Sequence, residues 1–111
     1  MYYVYILRCT DGTHYAGLAR YLEKRMREHV YHLPACARYT RAREIEALDA
    51  LWQTGTRPDA ARLEALVKTL PLAKKRQLIA RPEALGEFFP GRLDPAAYTA
   101  VPNPNLADYL P

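Results

Sequence analysis

Residues 2–7, Tyr-Tyr-Val-Tyr-Ile-Leu, are aromatic or aliphatic at every position. In a strand, successive side chains point to opposite faces, so Tyr3, Tyr5 and Leu7 share one face and Tyr2, Val4 and Ile6 the other. Both faces are therefore apolar, and such a strand is expected to be central or covered on both sides. The next four residues, Thr10-Asp11-Gly12-Thr13, are turn chemistry, and a second apolar run follows through Leu18. The chain thus opens on an antiparallel hairpin with apolar faces to cover.

The segments that can supply this cover come next. From Tyr21 to about Tyr31 the apolar residues Leu22, Met26 and Val30 recur every four, which predicts an amphipathic helix. Arg25 and His29, one turn apart, fall on a flank of that stripe. His32 to Arg43 reads as a loop rich in arginine, with Pro34 as a breaker. Residues 44–53, "EIEALDALWQ", are ambiguous between strand and helix. After the turn Gly55–Pro58, Asp59 is placed as a helix cap, and Ala60, Leu63, Val67 and Leu70 form a second helical stripe with Glu64 at its rim. Pro71 suits the first position of a third helix that carries Lys74, Lys75 and Arg76 on one face.

With 111 residues, there is room for one modest core. No apolar run reaches the roughly 20 residues of a membrane span, and the start lacks the features of a secretory leader. Cys9 and Cys36 show neither metal-ligand spacing nor a disulfide framework, and the expected location is cytoplasmic. Residues 1–80 hold 14 Lys/Arg against 8 Asp/Glu, whereas residues 81–111 hold 2 against 4 together with six of the nine prolines. The division expected is a folded domain over 1–80 and a proline-rich tail over 81–111, packed on it or partly mobile. The basic domain suits a polyanion, of which nucleic acid is the commonest.

Taken singly, the polar residues have ordinary explanations. Paired tyrosines in a hairpin pack cores, a lone arginine covers apolar surface with its stem, and Glu64 can pair with Lys68 along a helix. Their order changes the balance. "YVYIL", with Tyr5 ten residues before the Tyr15 of "YAG", then "LEKRMREH", "ARYTRAR" and "ARLEALVKTLPLAKKRQLI", resembles the GIY-YIG endonuclease superfamily, and within it the small single-domain UPF0213-like branch. The resemblance runs from Met1 to about Ile79.

That resemblance implies an α+β fold with a small three-stranded antiparallel sheet flanked by helices, the third strand being Ile45 to Trp52. It implies a metal-dependent endonuclease that hydrolyses DNA phosphodiester bonds with little sequence specificity, in a repair or recombination setting. Tyr5, Tyr15, Arg25 and His29 match the catalytic positions, either tyrosine being eligible as the base. Glu64 matches the ligand of one Mg²⁺ or Mn²⁺ ion. Gly17 matches the glycine that lets backbone and substrate approach, and Arg27, Arg38, Arg41, Lys74 and Lys75 are candidate contacts to the nucleic-acid backbone. The partner expected is DNA, with no membrane, and the protein a monomer or weak homodimer. Leu18 and Ala19 stand where relatives tend to carry a polar side chain. The alternative is a non-catalytic nucleic-acid-binding or partner-docking module on the same fold.

Overall fold

The hairpin forms as its residues require. In the computed structural model of the chain, which describes residues 1–110, β1 (Tyr2–Cys9) pairs antiparallel with β2 (His14–Ala19). Gly12 takes the left-handed conformation that the turn needs, φ 84°. Asp11 accepts hydrogen bonds from the Thr13 amide (3.1 Å) and hydroxyl (2.6 Å), which fixes the turn. On its other side β1 pairs antiparallel with β3 (Ile45–Thr54), and Val4 to Leu7 are fully buried, as a strand covered on both faces must be.

The ambiguity of residues 44–53 has a structural cause. The pairing of β1 with β3 slips twice: Ile6 faces Ala50 but Leu7 faces Leu48, and Arg8 faces Ala47 but Cys9 faces Ile45. Asp49 and Glu46 are the extra residues, and each bulge breaks the period of two by which a strand is recognised. Both carboxylates are used. Arg8 Nε bonds Glu46 at 2.7 Å, its Nη1 lies 3.3 Å from Asp49, and Asp49 also bonds His14 Nε2 at 3.1 Å.

Helices cover the two faces. On one, α1 (Leu22–Val30) places Leu22 and Met26 against Tyr5, Leu7, Leu48 and Leu51. On the other, α3 (Arg57–Thr69) and α4 (Leu72–Ala80) place Ala60, Leu63, Val67 and Leu78 against Val4, Ile6, Ala50 and Trp52. Leu70 belongs to the rim of that core rather than its centre. The cap of α3 is Thr56, not Asp59: its hydroxyl oxygen accepts from the Asp59 amide at 3.2 Å and its hydroxyl proton goes to the Asp59 carboxylate at 2.9 Å. Pro71 likewise stands just outside α4, as its cap residue.

Three expectations need correction. The sheet has four strands in the order β2-β1-β3-β4, because Tyr98–Ala100 adds β4 to the free edge of β3. Residues 32–43 are not all loop, since Arg38–Arg41 closes one helical turn, α2. The third strand runs on to Thr54, past Trp52. Beyond Ala80 the chain packs back onto the sheet: Trp52 Nε1 donates to the Pro82 carbonyl at 2.8 Å, the Tyr98 hydroxyl donates to the Asp59 carbonyl at 2.7 Å, and Leu85 and Phe89 join the α3 core, with α5 (Leu85–Phe88) between. Among the described residues no helix is long and apolar enough to cross a membrane.

Candidate active site

β2 is an edge strand, so side chains from α1 on one face and from α3 on the other meet beside it. Tyr5 on β1 and Tyr15 and Gly17 on β2 all face α1, because Tyr5 pairs with Gly17 and Leu7 with Tyr15. Arg25 and His29 come from the adjacent face of α1. Gly17 has no side chain because Tyr5 occupies that space: a Cβ there would lie 2.5 Å from the Tyr5 hydroxyl oxygen. The glycine thus makes room for a phenol of this chain.

Tyr5 and His29 are both fully buried. The Tyr5 hydroxyl lies 2.8 Å from His29 Nε2, and His29 Nδ1 lies 2.8 Å from the Thr40 hydroxyl, itself buried. Thr40 spends its single proton on the Ala37 carbonyl at 3.1 Å, so it accepts from His29 Nδ1–H. His29 Nε2 is then the acceptor, and the Tyr5 O–H donates to it. The result is a directed chain from Tyr5 through His29 and Thr40 to the backbone of α2. Burial, reinforced by the Arg25 charge, pushes His29 down to about 4, so the imidazole is neutral at pH 7. Burial pushes the Tyr5 phenol upward, against the opposing pull of Arg25.

This network has a consequence for stability. His29 binds its proton near pH 6.5 when exposed but only near 4 when folded. Its contribution is therefore whole above pH 6.5, falls as the pH drops from 6.5 towards 4, and is gone below. Denaturant midpoints measured between pH 7 and pH 4 should show a loss of a few kcal/mol that is smaller in His29→Leu.

Arg25 and Glu64 line the accessible part of the site. Arg25 Nη1 donates to the Ala35 carbonyl at 2.7 Å and to Glu28 at 3.1 Å, and the residue lines a pocket with Leu18, Ala19, Lys24 and Glu28. Glu64 on α3 is about a quarter exposed and pairs with Lys68 at 3.6 Å. Lys68 in turn lies 5.7 Å above the ring of Tyr15. Among the described residues no three histidine, cysteine or acidic side chains gather into a cage. One accessible hard carboxylate oxygen fits a Mg²⁺-like ion that keeps most of its waters and takes the rest of its shell from substrate phosphate.

Tyr15 is half-buried in an aromatic stack: its ring centroid lies 5.4 Å from His29 and 5.6 Å from Tyr39, and Arg43 lies 3.9 Å above Tyr39. Thr40, Tyr39 and Arg43 escape a residue-by-residue reading of the sequence, although all three lie within "ARYTRAR". Arg38 and Arg41 are exposed on α2 beside this stack, and Arg27 is half-buried on α1. Lys74 and Lys75 are not gathered with them. They belong to α4 on the other face of the sheet, where Lys74 lines a groove with Arg81 and Phe88. Leu18 packs at the rim of the α3 core and Ala19 in the α1 core, so neither places a polar group in the cleft.

Residues 1–77 match the family model described as the GIY-YIG catalytic domain, a span that contains every residue of the cluster. Over 83 residues the chain is 32% identical to a UPF0213 protein of Fusobacterium nucleatum, covering 75% of this chain and 81% of that one. Over 78 residues it is 38% identical to a UPF0213 protein of Halalkalibacterium halodurans, covering 70% and 81%. A solution NMR structure of a UPF0213 protein from Bacillus halodurans shares 38% identity, covers 72% of this chain and 84% of that one, and superposes with a TM-score of 0.47.

Proposed function

The chain belongs to the GIY-YIG catalytic-domain family, in its UPF0213 branch, and on that premise we propose that it is a metal-dependent endonuclease hydrolysing DNA phosphodiester bonds with little sequence preference. The observation that carries the reading is the Tyr5–His29–Thr40 chain beside Arg25. A structural tyrosine needs one partner, whereas this one ends a hydrogen-bonded path that can receive a proton. Arg25 offers its planar fork to a phosphate oxygen, the group on which negative charge develops. Glu64 would hold a single magnesium or manganese ion, whose chemistry there would be added positive charge at the phosphate.

Proton movement falls to the chain's own residues. The attacking water gives its proton to the Tyr5 oxygen as Tyr5 passes its own to His29 Nε2, so no free phenolate has to persist in a buried site that disfavours one. The new P–O bond forms as the bond to the leaving oxygen breaks, that oxygen is protonated from solvent, and His29 returns its extra proton to solvent by way of the Tyr5 oxygen, which restores the neutral pair. Arg25 is tied to the Ala35 carbonyl in the substrate-free chain, and a phosphate would compete for its donors. Tyr15, outside the proton path but adjacent to His29, forms the wall of the cleft. Thr40 fixes the tautomer. Thr40→Val is expected to cost about 1–3 kcal/mol in thermal unfolding through an unpaired buried N–H, and to slow cleavage, with Thr40→Ser restoring both.

The experiment is cleavage of end-labelled single-stranded, duplex and branched DNA with magnesium or manganese, comparing wild type with Glu64→Ala. Wild-type cutting that falls about 10²-fold or more in the variant is the expected result. The full burial of Tyr5 and His29 favours a second reading, a module that binds nucleic acid without cutting it. Retained binding with no cleavage by wild type under either metal would establish that reading instead.

A further inference from the structure

A second groove lies next to the Arg25 pocket and has no part in the chemistry above. It measures about 360 Å³ and is walled by Tyr3, Glu23 and Tyr109, with Arg20, Tyr21 and Lys24 at the side it shares with that pocket. Resting on the reading above, we propose that this groove seats the base of a nucleotide neighbouring the cleaved phosphate, with the C-terminal tail supplying one of its walls.

Tyr21 carries the argument. It is 68% exposed and stands at the cap position of α1, where it makes no side-chain cap hydrogen bond. Serine, threonine, asparagine or aspartate would stabilise the helix there, so neither burial nor capping accounts for a tyrosine. Its ring is not idle: the Arg20 guanidinium lies 5.8 Å from it and 5.7 Å from the ring of Tyr2, which holds a cation beside an exposed aromatic face. Exposed aromatics next to cations are how proteins hold nucleotides, the rings stacking on bases and the cations following phosphates.

The charge is distributed accordingly. Glu23 in the wall repels a phosphate but can accept from a base N–H, while Arg20 and Lys24 stand on the side towards Arg25, where the backbone would run. The space suits a single base, which must be unpaired to enter. Tyr109 reaches the groove from the single helical turn Leu106–Tyr109, about thirty residues beyond the part that matches the GIY-YIG catalytic domain. The groove is thus built jointly by the family domain and by a segment outside it.

The test is fluorescence anisotropy without divalent metal, comparing a labelled oligothymidylate with an abasic phosphodiester chain of equal length. Wild type should bind the base-bearing chain about tenfold more tightly. Tyr21→Ala and Tyr109→Ala should lose that preference and Tyr21→Phe should keep it, with the emission of buried Trp52 confirming an intact fold in each. Equal affinity of wild type for the two chains, or a preference surviving in Tyr21→Ala, overturns the proposal. Base-dependent binding by a protein that never cuts would uphold the groove and sink the nuclease reading, and metal-dependent cutting with no base preference would do the reverse.

Discussion

Tyr5→Phe is expected to lower the cleavage rate by roughly 10²- to 10⁴-fold while leaving nucleic-acid binding near wild type. The variant keeps the ring that fills the space above Gly17 and removes only the oxygen that bonds His29 Nε2 at 2.8 Å. That buried nitrogen loses its donor, so a modest destabilisation of about 1–3 kcal/mol accompanies the loss of rate. Tyr15→Phe leaves the Tyr5–His29–Thr40 path whole and should cost much less. Single-turnover rates and melting curves for the two variants decide between the tyrosines, and a larger rate loss in Tyr15→Phe would reverse the assignment.

Gly17→Ala should meet the severest clash of any glycine-to-alanine change in the chain. The added carbon would stand 2.5 Å from the Tyr5 oxygen and 2.6 Å from the ring carbon that bears it, far inside contact distance. Tyr5 cannot swing away cheaply, because it is fully buried and held by His29. Overpacking of this kind costs about 1–3 kcal/mol, and the displaced hydroxyl leaves its partner unsatisfied as well. Denaturant unfolding should show the lowered stability, and cleavage should fall with it. Gly55→Ala, where an added carbon meets nothing within 4 Å, is the matched control.

The hairpin and α1 were readable because local chemistry and tertiary demand agree there: turn residues at Asp11 and Gly12, apolar residues on both faces of β1, and a four-residue stripe from Leu22 to Val30. β3 was readable only through family resemblance, since the bulges at Glu46 and Asp49 erase its alternation. β4 has three residues and exists because the edge of β3 is there to receive it, which no window of sequence can express. The same holds for Thr40, whose meaning lies in a hydrogen bond to a residue eleven positions away on another element. Tyr5, Arg25 and His29 were placed by motif order, but the burial of Tyr5 and His29 was not foreseeable. It follows from α1 closing over β1, a packing fact.

The short strand β4 also bears on how the molecule behaves in a crowd. An unpaired strand edge is a template on which a second chain can grow. With β4 laid along Trp52–Thr54, that end of β3 is closed to a second chain, while β2 stays a bare margin that carries Tyr15 and Gly17. A chain adding to β2 would meet those residues first, so a nucleic acid bound beside them would also block that route to aggregation.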